Sequence, residues 1–201
     1  VNRSDPRAIR TRNRVLEATV NLLAERGVES TTMDAVAAAA GVSRSTLYRH
    51  WPERVPLLVD AIEHLGARLR REDSEDLPED ESFDEKVQRL IGSLGAGLRS
   101  SEWGPIAGSL AVAAEYDQTL AAAYRDYIAI RRQSVVDLLT EAQQEGELPE
   151  SLDLEWAVSL LAGPLYYHRL VLHQPLREEQ VTEHVRRTLT LIRSSEAATM
   201  C

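Results

Sequence analysis

Thr31-Thr32-Met33-Asp34-Ala35-Val36-Ala37-Ala38-Ala39-Ala40-Gly41-Val42-Ser43-Arg44-Ser45-Thr46-Leu47-Tyr48-Arg49-His50-Trp51-Pro52-Glu53-Arg54-Val55-Pro56-Leu57-Leu58 holds two short helices and a tight turn. Thr31 or Thr32 supplies the side-chain oxygen that caps a helix over about 33–40, which ends at Gly41. Ser43 caps the next, over about 44–50, and Trp51-Pro52 ends it because the residue before a proline avoids the helical region. Val36, Ala37, Ala40, Val42 and Leu47 fall on inward positions and are small or apolar, so the two helices can pack closely. This is a helix-turn-helix pattern with glycine in the turn.

Polar and basic groups fill the other face. Ser43 brings a hydroxyl to a helix N-terminus, where backbone N–H groups favour phosphate. Arg44, Ser45, Thr46, Tyr48, Arg49 and His50 crowd the exposed side of the second helix. A recognition helix shows its first residues to base edges. Arg44 can pair bidentately with guanine, and Thr46 offers a hydroxyl and a methyl. Tyr48, His50 and Arg54 come later and suit phosphates. Thr32, at the start of the preceding helix, joins the candidate DNA contacts. Trp51 suits hinge packing better than base stacking. Arg3, Arg7, Arg10, Arg12 and Arg14 form an arm that is either merely solvated or in contact with the DNA backbone or minor groove.

Working outward, helical spacing recurs along the whole chain. A first helix spans about 7–26, with Val15, Ala18, Leu22 and Leu23 on one face and Gly27 as its stop. A fourth runs about 54–71 on Leu58, Ala61, Ile62, Leu65 and Leu69. Residues 72–82 are acidic, contain a proline and lack periodicity, as expected of a solvated loop. Five more helices follow, over about 83–100, 104–114, 118–145, 153–172 and 177–194, and Pro164 should kink the eighth. The expectation is an all-α protein of about nine helices, with no strands. A three-helix DNA-binding domain occupies residues 1–53, and a larger helical domain occupies 54–201.

Charge follows the same division. The net charge of −9 argues against nucleic acid if taken whole. Residues 1–55 carry nine arginines against six acids, +3, and residues 56–201 carry 14 basic against 26 acidic groups, −12. Such asymmetry points to nucleic acid at the basic end. The 201 residues, 43% of them apolar, suffice for one or two cores. The single cysteine, Cys201, excludes an intrachain disulfide and a cysteine-rich zinc site. His64, His168, His173 and His184 share no ligand spacing with one another or with Cys201, so neither metal nor cofactor is expected. The first residues contain no apolar signal segment and no run reaches about 18 apolar residues, so a cytoplasmic protein without membrane contact is expected.

The 31–58 segment closely resembles the DNA-binding signature of the tetracycline-repressor (TetR) family of bacterial regulators. The resemblance rests on the Thr-capped helix, Ala40-Gly41-Val42-Ser43, Leu47-Tyr48, and His50-Trp51-Pro52 followed by a basic residue. It covers about residues 7–60. Arg54 stands where the family usually has lysine, which keeps the charge. The resemblance implies that helices 5–9 bind a ligand and dimerise, with helices 8 and 9 pairing against their mates in a four-helix bundle. Val158, Leu161, Leu165 and Leu172 stripe helix 8, and Val181, Val185, Leu189 and Ile192 stripe helix 9. The alternative to the dimer contact is that both stripes face the chain's own core. Trp103, Tyr124, Tyr127, Tyr166 and His168 are the candidate ligand residues, apolar bodies with polar tips.

The expected function is a ligand-responsive transcriptional regulator, most simply a repressor. It would bind a palindromic double-stranded DNA operator as a homodimer through its two C-terminal helices, and a small-molecule inducer would release it. The alternatives are a small-molecule enzyme with an accessory basic domain and a constitutive nucleoid-type protein. No nucleophile–base pair, phosphate-cradling glycine loop or metal cluster supports an enzyme.

Overall fold

The computed structural model describes residues 6–73 and 81–194, with side chains to residue 68 in the first stretch. Arg3, Cys201, the Leu69 side chain and most of the acidic loop lie outside the described residues. Among those described there are nine α-helices and no strand: α1 (Pro6–Ser30), α2 (Met33–Ala39), α3 (Arg44–His50), α4 (Arg54–Asp73), α5 (Phe83–Arg99), α6 (Trp103–Ala114), α7 (Gln118–Gln144), α8 (Leu154–Tyr166) and α9 (Glu178–Arg193).

Local chemistry accounts for most of the boundaries. Gly27 breaks α1 with φ 71° and ψ 179°, a conformation that costs a side-chain-bearing residue, and a short helical stretch then runs to Ser30. Thr31 Oγ1 donates to the Gly27 carbonyl at 2.8 Å. Thr32 is the residue that caps α2, accepting from Ala35 N–H. Ser43 caps α3 by accepting from Thr46 N–H. Between them Gly41 turns the chain at φ 60°. Asp117 accepts from the Thr119 and Leu120 N–H groups at the start of α7. Of the two caps expected for α8, Asp153 is the one used. Ser82 and Glu85 form a reciprocal capping box on α5.

The eighth helix departs from a simple kink at Pro164. The α-helix ends at Tyr166 and Tyr167–Val171 follows as a π-helical turn, in which Leu172 N–H bonds to the Tyr167 carbonyl. Pro164 has no N–H to offer the fourth carbonyl before it, and the ladder re-forms downstream with a wider spacing.

The chain packs as two units. The first comprises, of the described residues, 6–73 and 101–127; the second comprises 81–100 and 128–194, so the division falls within α7. In the first, α1 packs against α2, α4 and α6, and α2 against α3. Its core includes Val15, Val20, Leu23, Val36, Leu47, Leu58, Ile62, Ile106 and Leu110, all almost fully buried. Each such side chain gains about 1.5–3 kcal/mol from leaving water. In the second unit, α5 packs against α8 and α9.

Here one expectation is corrected. Val181, Val185, Leu189 and Ile192 are all buried within the single chain, as are Val158, Leu161 and Leu165. The α9 stripe and all of the helix 8 stripe but Leu172 face the chain's own core, with α5 lying against α9. The apolar side chains that remain open on these elements are Trp156, Tyr167, Val171 and Leu191, each more than half exposed, with Leu172 at 39%. No helix of the described residues is long and apolar enough to cross a membrane.

Candidate nucleic-acid interface

Leu47 is fully buried and Trp51 nearly so, and these two anchor α3. With that face fixed, Arg44, Ser45, Tyr48 and Arg49 are exposed, and Thr46 and His50 are half-buried. Ser43 and Thr32 are also exposed. The helix-turn-helix therefore brings eight of the nine expected DNA residues to α2, α3 and the turn before α3. Ser43 Oγ lies 3.0 Å from Ser45 Oγ and 2.9 Å from Thr46 Oγ1, so its hydroxyl hydrogen-bonds to both. Arg54, the ninth, is half-buried at the start of α4 and donates from Nη1 to the Val28 carbonyl at 2.9 Å. Its position is thereby tied to the break after α1.

A second set of contacts fixes the end of α3. Trp51 Nε1 donates to Asp60 Oδ2 on α4 at 2.6 Å. Arg12 of α1 donates to the same oxygen at 2.7 Å and lies over the indole, 5.0 Å from its centroid. Trp51 is thus a buried ring with its N–H satisfied. Arg12, one of the five arm arginines, is held by protein. Burial first, then the charges of Arg49 and Arg12, lower the His50 pKa below its ordinary value and so favour the neutral ring.

Four carboxylates of the first unit escaped the sequence reading. Asp60 is one. Asp34, in the first turn of α2, lies 2.7 Å from Arg44 Nε. Glu17 of α1 accepts from His64 at 2.6 Å and from Arg68 at 3.0 Å, both on α4. Arg68 also pairs with Glu102, directly before α6. These partners stand nine to about fifty residues apart, and neither caps nor periodicity signal them.

Trp103 and Tyr127 come together in the first unit, with centroids 4.6 Å apart and rings tilted by 42°. Both are buried. Tyr124 precedes Tyr127 by three residues on α7, and burial raises its pKa. Tyr166 and His168 belong to the second unit, at the end of α8 and in the π turn. Two open clefts of that unit, of about 710 and 740 Å³, are lined among others by Gln143, Glu147 and Arg193 and by Gln180, His184 and Arg187. None of the five candidate ligand residues lines either cleft. Among the described residues no group of three or more His, Cys, Asp or Glu is placed to hold a metal.

Comparison with known proteins agrees with this geometry. The model of bacterial regulatory proteins of the tetR family matches residues 15–61, and that of the tetracyclin repressor-like C-terminal domain matches residues 77–188. The chain is 28% identical to the HTH-type transcriptional regulator YdeS of Bacillus subtilis, over 97% of this chain and 96% of that one. It is 30% identical to the DNA-binding transcriptional repressor TetR of Mycobacteroides abscessus, over 81% of this chain and 83% of that one. A transcriptional regulator from Saccharomonospora viridis, solved in complex with choline, has the same fold with a TM-score of 0.73 at 17% identity. That match covers 90% of this chain and 96% of the other. With both family models matched along most of its length, and a helix-turn-helix where the first requires one, the chain belongs to the TetR family of bacterial transcriptional regulators.

Proposed function

We propose that this regulator acts as a ligand-responsive repressor, in which α3 reads a palindromic operator in the major groove and a small molecule releases it. The observation that carries the reading is the polarity of α3. Leu47 and Trp51 anchor one side while Arg44, Ser45, Tyr48 and Arg49 stand in solvent on a helix only seven residues long. Thr32, Ser43, Arg44, Ser45 and Thr46 are assigned to base edges and adjacent phosphates. Tyr48, Arg49, His50 and Arg54 are assigned to the backbone. Residues 1–53 are the proposed DNA-binding domain and 54–201 the proposed ligand and dimer domain. Footprinting on the DNA upstream of the gene tests this: protection of a palindrome supports it, and uniform or absent protection refutes it.

The proposed homodimer uses α8 and α9, but through the faces that the chain's own core leaves open. Trp156 on α8, Tyr167 after it and Leu191 on α9 are 66%, 52% and 56% exposed, which favours them as the contact. Two copies then space two recognition helices for two half-sites.

For the inducer, Trp103, Tyr124 and Tyr127 are the proposed contacts in the first unit. The supporting feature is their position beside a charged connection. Glu102 precedes Trp103 and reaches Glu17 on α1 through Arg68 on α4. A ligand that parts the Trp103 and Tyr127 rings moves the start of α6, and this chain of ion pairs carries the shift to α1 and α4. That lowers DNA affinity by population shift.

A further inference from the structure

The Asp34–Arg44 pair joins the first turn of α2 to the first residue of α3. Asp34 Oδ1 lies 2.7 Å from Arg44 Nε, and the two side chains are 56% and 71% exposed. Thr32 fixes the backbone on the Asp34 side by capping α2, and Ser43 fixes it on the Arg44 side by capping α3. The carboxylate thus reaches the arginine from a neighbouring rigid element across the glycine turn.

We infer that Asp34 is a positioning residue for sequence specificity, which aims the Arg44 guanidinium at a guanine and keeps it from phosphate. The inference rests on the base-reading role proposed above for Arg44. A guanidinium whose Nε lies against this carboxylate still offers the edge formed by its two terminal nitrogens. That edge matches the paired O6 and N7 acceptors of guanine. In water an exposed ion pair adds little to stability, so the contact is not explained as a fold-stabilising device. Against DNA, where water is displaced, the same contact strengthens. The carboxylate also repels phosphates, which disfavours registers in which Arg44 would rest on the backbone. Specificity is a difference of affinities, and Asp34 acts on both sides of it.

The test starts from a randomised duplex pool enriched with the wild-type protein. Affinities for the winning duplex, its single-base-pair variants and a scrambled duplex are measured at one fixed salt concentration. The proteins are the wild type, Asp34→Asn, Asp34→Ala, Arg44→Ala and the double variant. Asp34→Asn keeps the shape and an acceptor, and melting curves check that each variant folds.

The expected result is a loss of discrimination of about threefold to tenfold in both Asp34 variants, at the same base pair that Arg44→Ala affects. Affinity for scrambled DNA should stay level or rise. In the Arg44→Ala background, Asp34→Ala should change discrimination no further. Unchanged discrimination in both folded Asp34 variants overturns the inference alone. So does an equal loss in the Arg44→Ala background. A wild-type protein that enriches no sequence overturns the base-reading proposal and the inference with it.

Discussion

Arg44 and Arg54 carry the same charge and have different surroundings. Arg44 opens α3 in solvent beside Asp34, whereas Arg54 sits half-buried and donates to the Val28 carbonyl. Arg44→Ala and Thr46→Ala are therefore expected to relax sequence preference, costing about 1–3 kcal/mol at one base position. Tyr48→Phe and Arg54→Ala should weaken binding to all sequences alike, and Arg54→Ala should also lower the melting temperature slightly because the Val28 carbonyl loses one of its two donors and keeps only the Thr31 N–H. Binding to single-base-pair variants separates the two classes. The assignment fails if Arg54→Ala changes preference and Arg44→Ala does not. At this scale the sequence was legible where chemistry is local. Thr32, Ser43 and Gly41 act on backbone within three residues of themselves, so their roles follow from type and position. Asp34, Asp60 and Glu17 act across space, and their partners become known only when the helices are packed.

Elements were legible as helices and less so as faces. An apolar stripe on α9 has the same period whether it meets α5 or a second copy of α9, so Val181, Val185, Leu189 and Ile192 could not be assigned from spacing. Packing assigns them to the core. Leu189→Ala should then cost about 2–5 kcal/mol in denaturant unfolding of the protein, as for other large-to-small core changes. Leu191→Glu, on the open face, should leave the fold intact and dissociate the dimer in sedimentation. The reverse pattern would place the stripe at the interface. Close approach of α5 to α9 gives a second check. A Cβ on Gly95 would lie 3.1 Å from Val181 Cγ2. Gly95→Leu should therefore destabilise by about 1–3 kcal/mol through overpacking, seen as a lower denaturation midpoint. An unchanged midpoint would mean that α5 and α9 can part at small cost. The π turn after Tyr166 was not legible either. Pro164 announces a disturbed ladder, and how the ladder re-forms depends on what the following residues meet, such as Arg169, which donates to the Leu98 carbonyl.

For the whole molecule, a net charge of −9 coexists with DNA binding because the acidic residues are concentrated in 56–201, which leaves residues 1–55 at +3. Any ligand that releases DNA must in turn bind more weakly when DNA is present, by the same factor, and a coupling of about 1–3 kcal/mol suffices. Glu102→Gln, which removes one charge of the Glu17–Arg68–Glu102 chain, should reduce that factor while leaving DNA affinity without ligand nearly level. Equal factors in Glu102→Gln and wild type, measured by titration with and without DNA, would remove this chain from the coupling route. The most direct test of DNA reading by α3 is the affinity of the wild-type protein for its enriched duplex and for a scrambled duplex across a salt series. The expected result is a preference of about a thousandfold or more, with both binding constants falling linearly as log K against log salt. Equal affinity for the two duplexes, or a flat salt response, would contradict it.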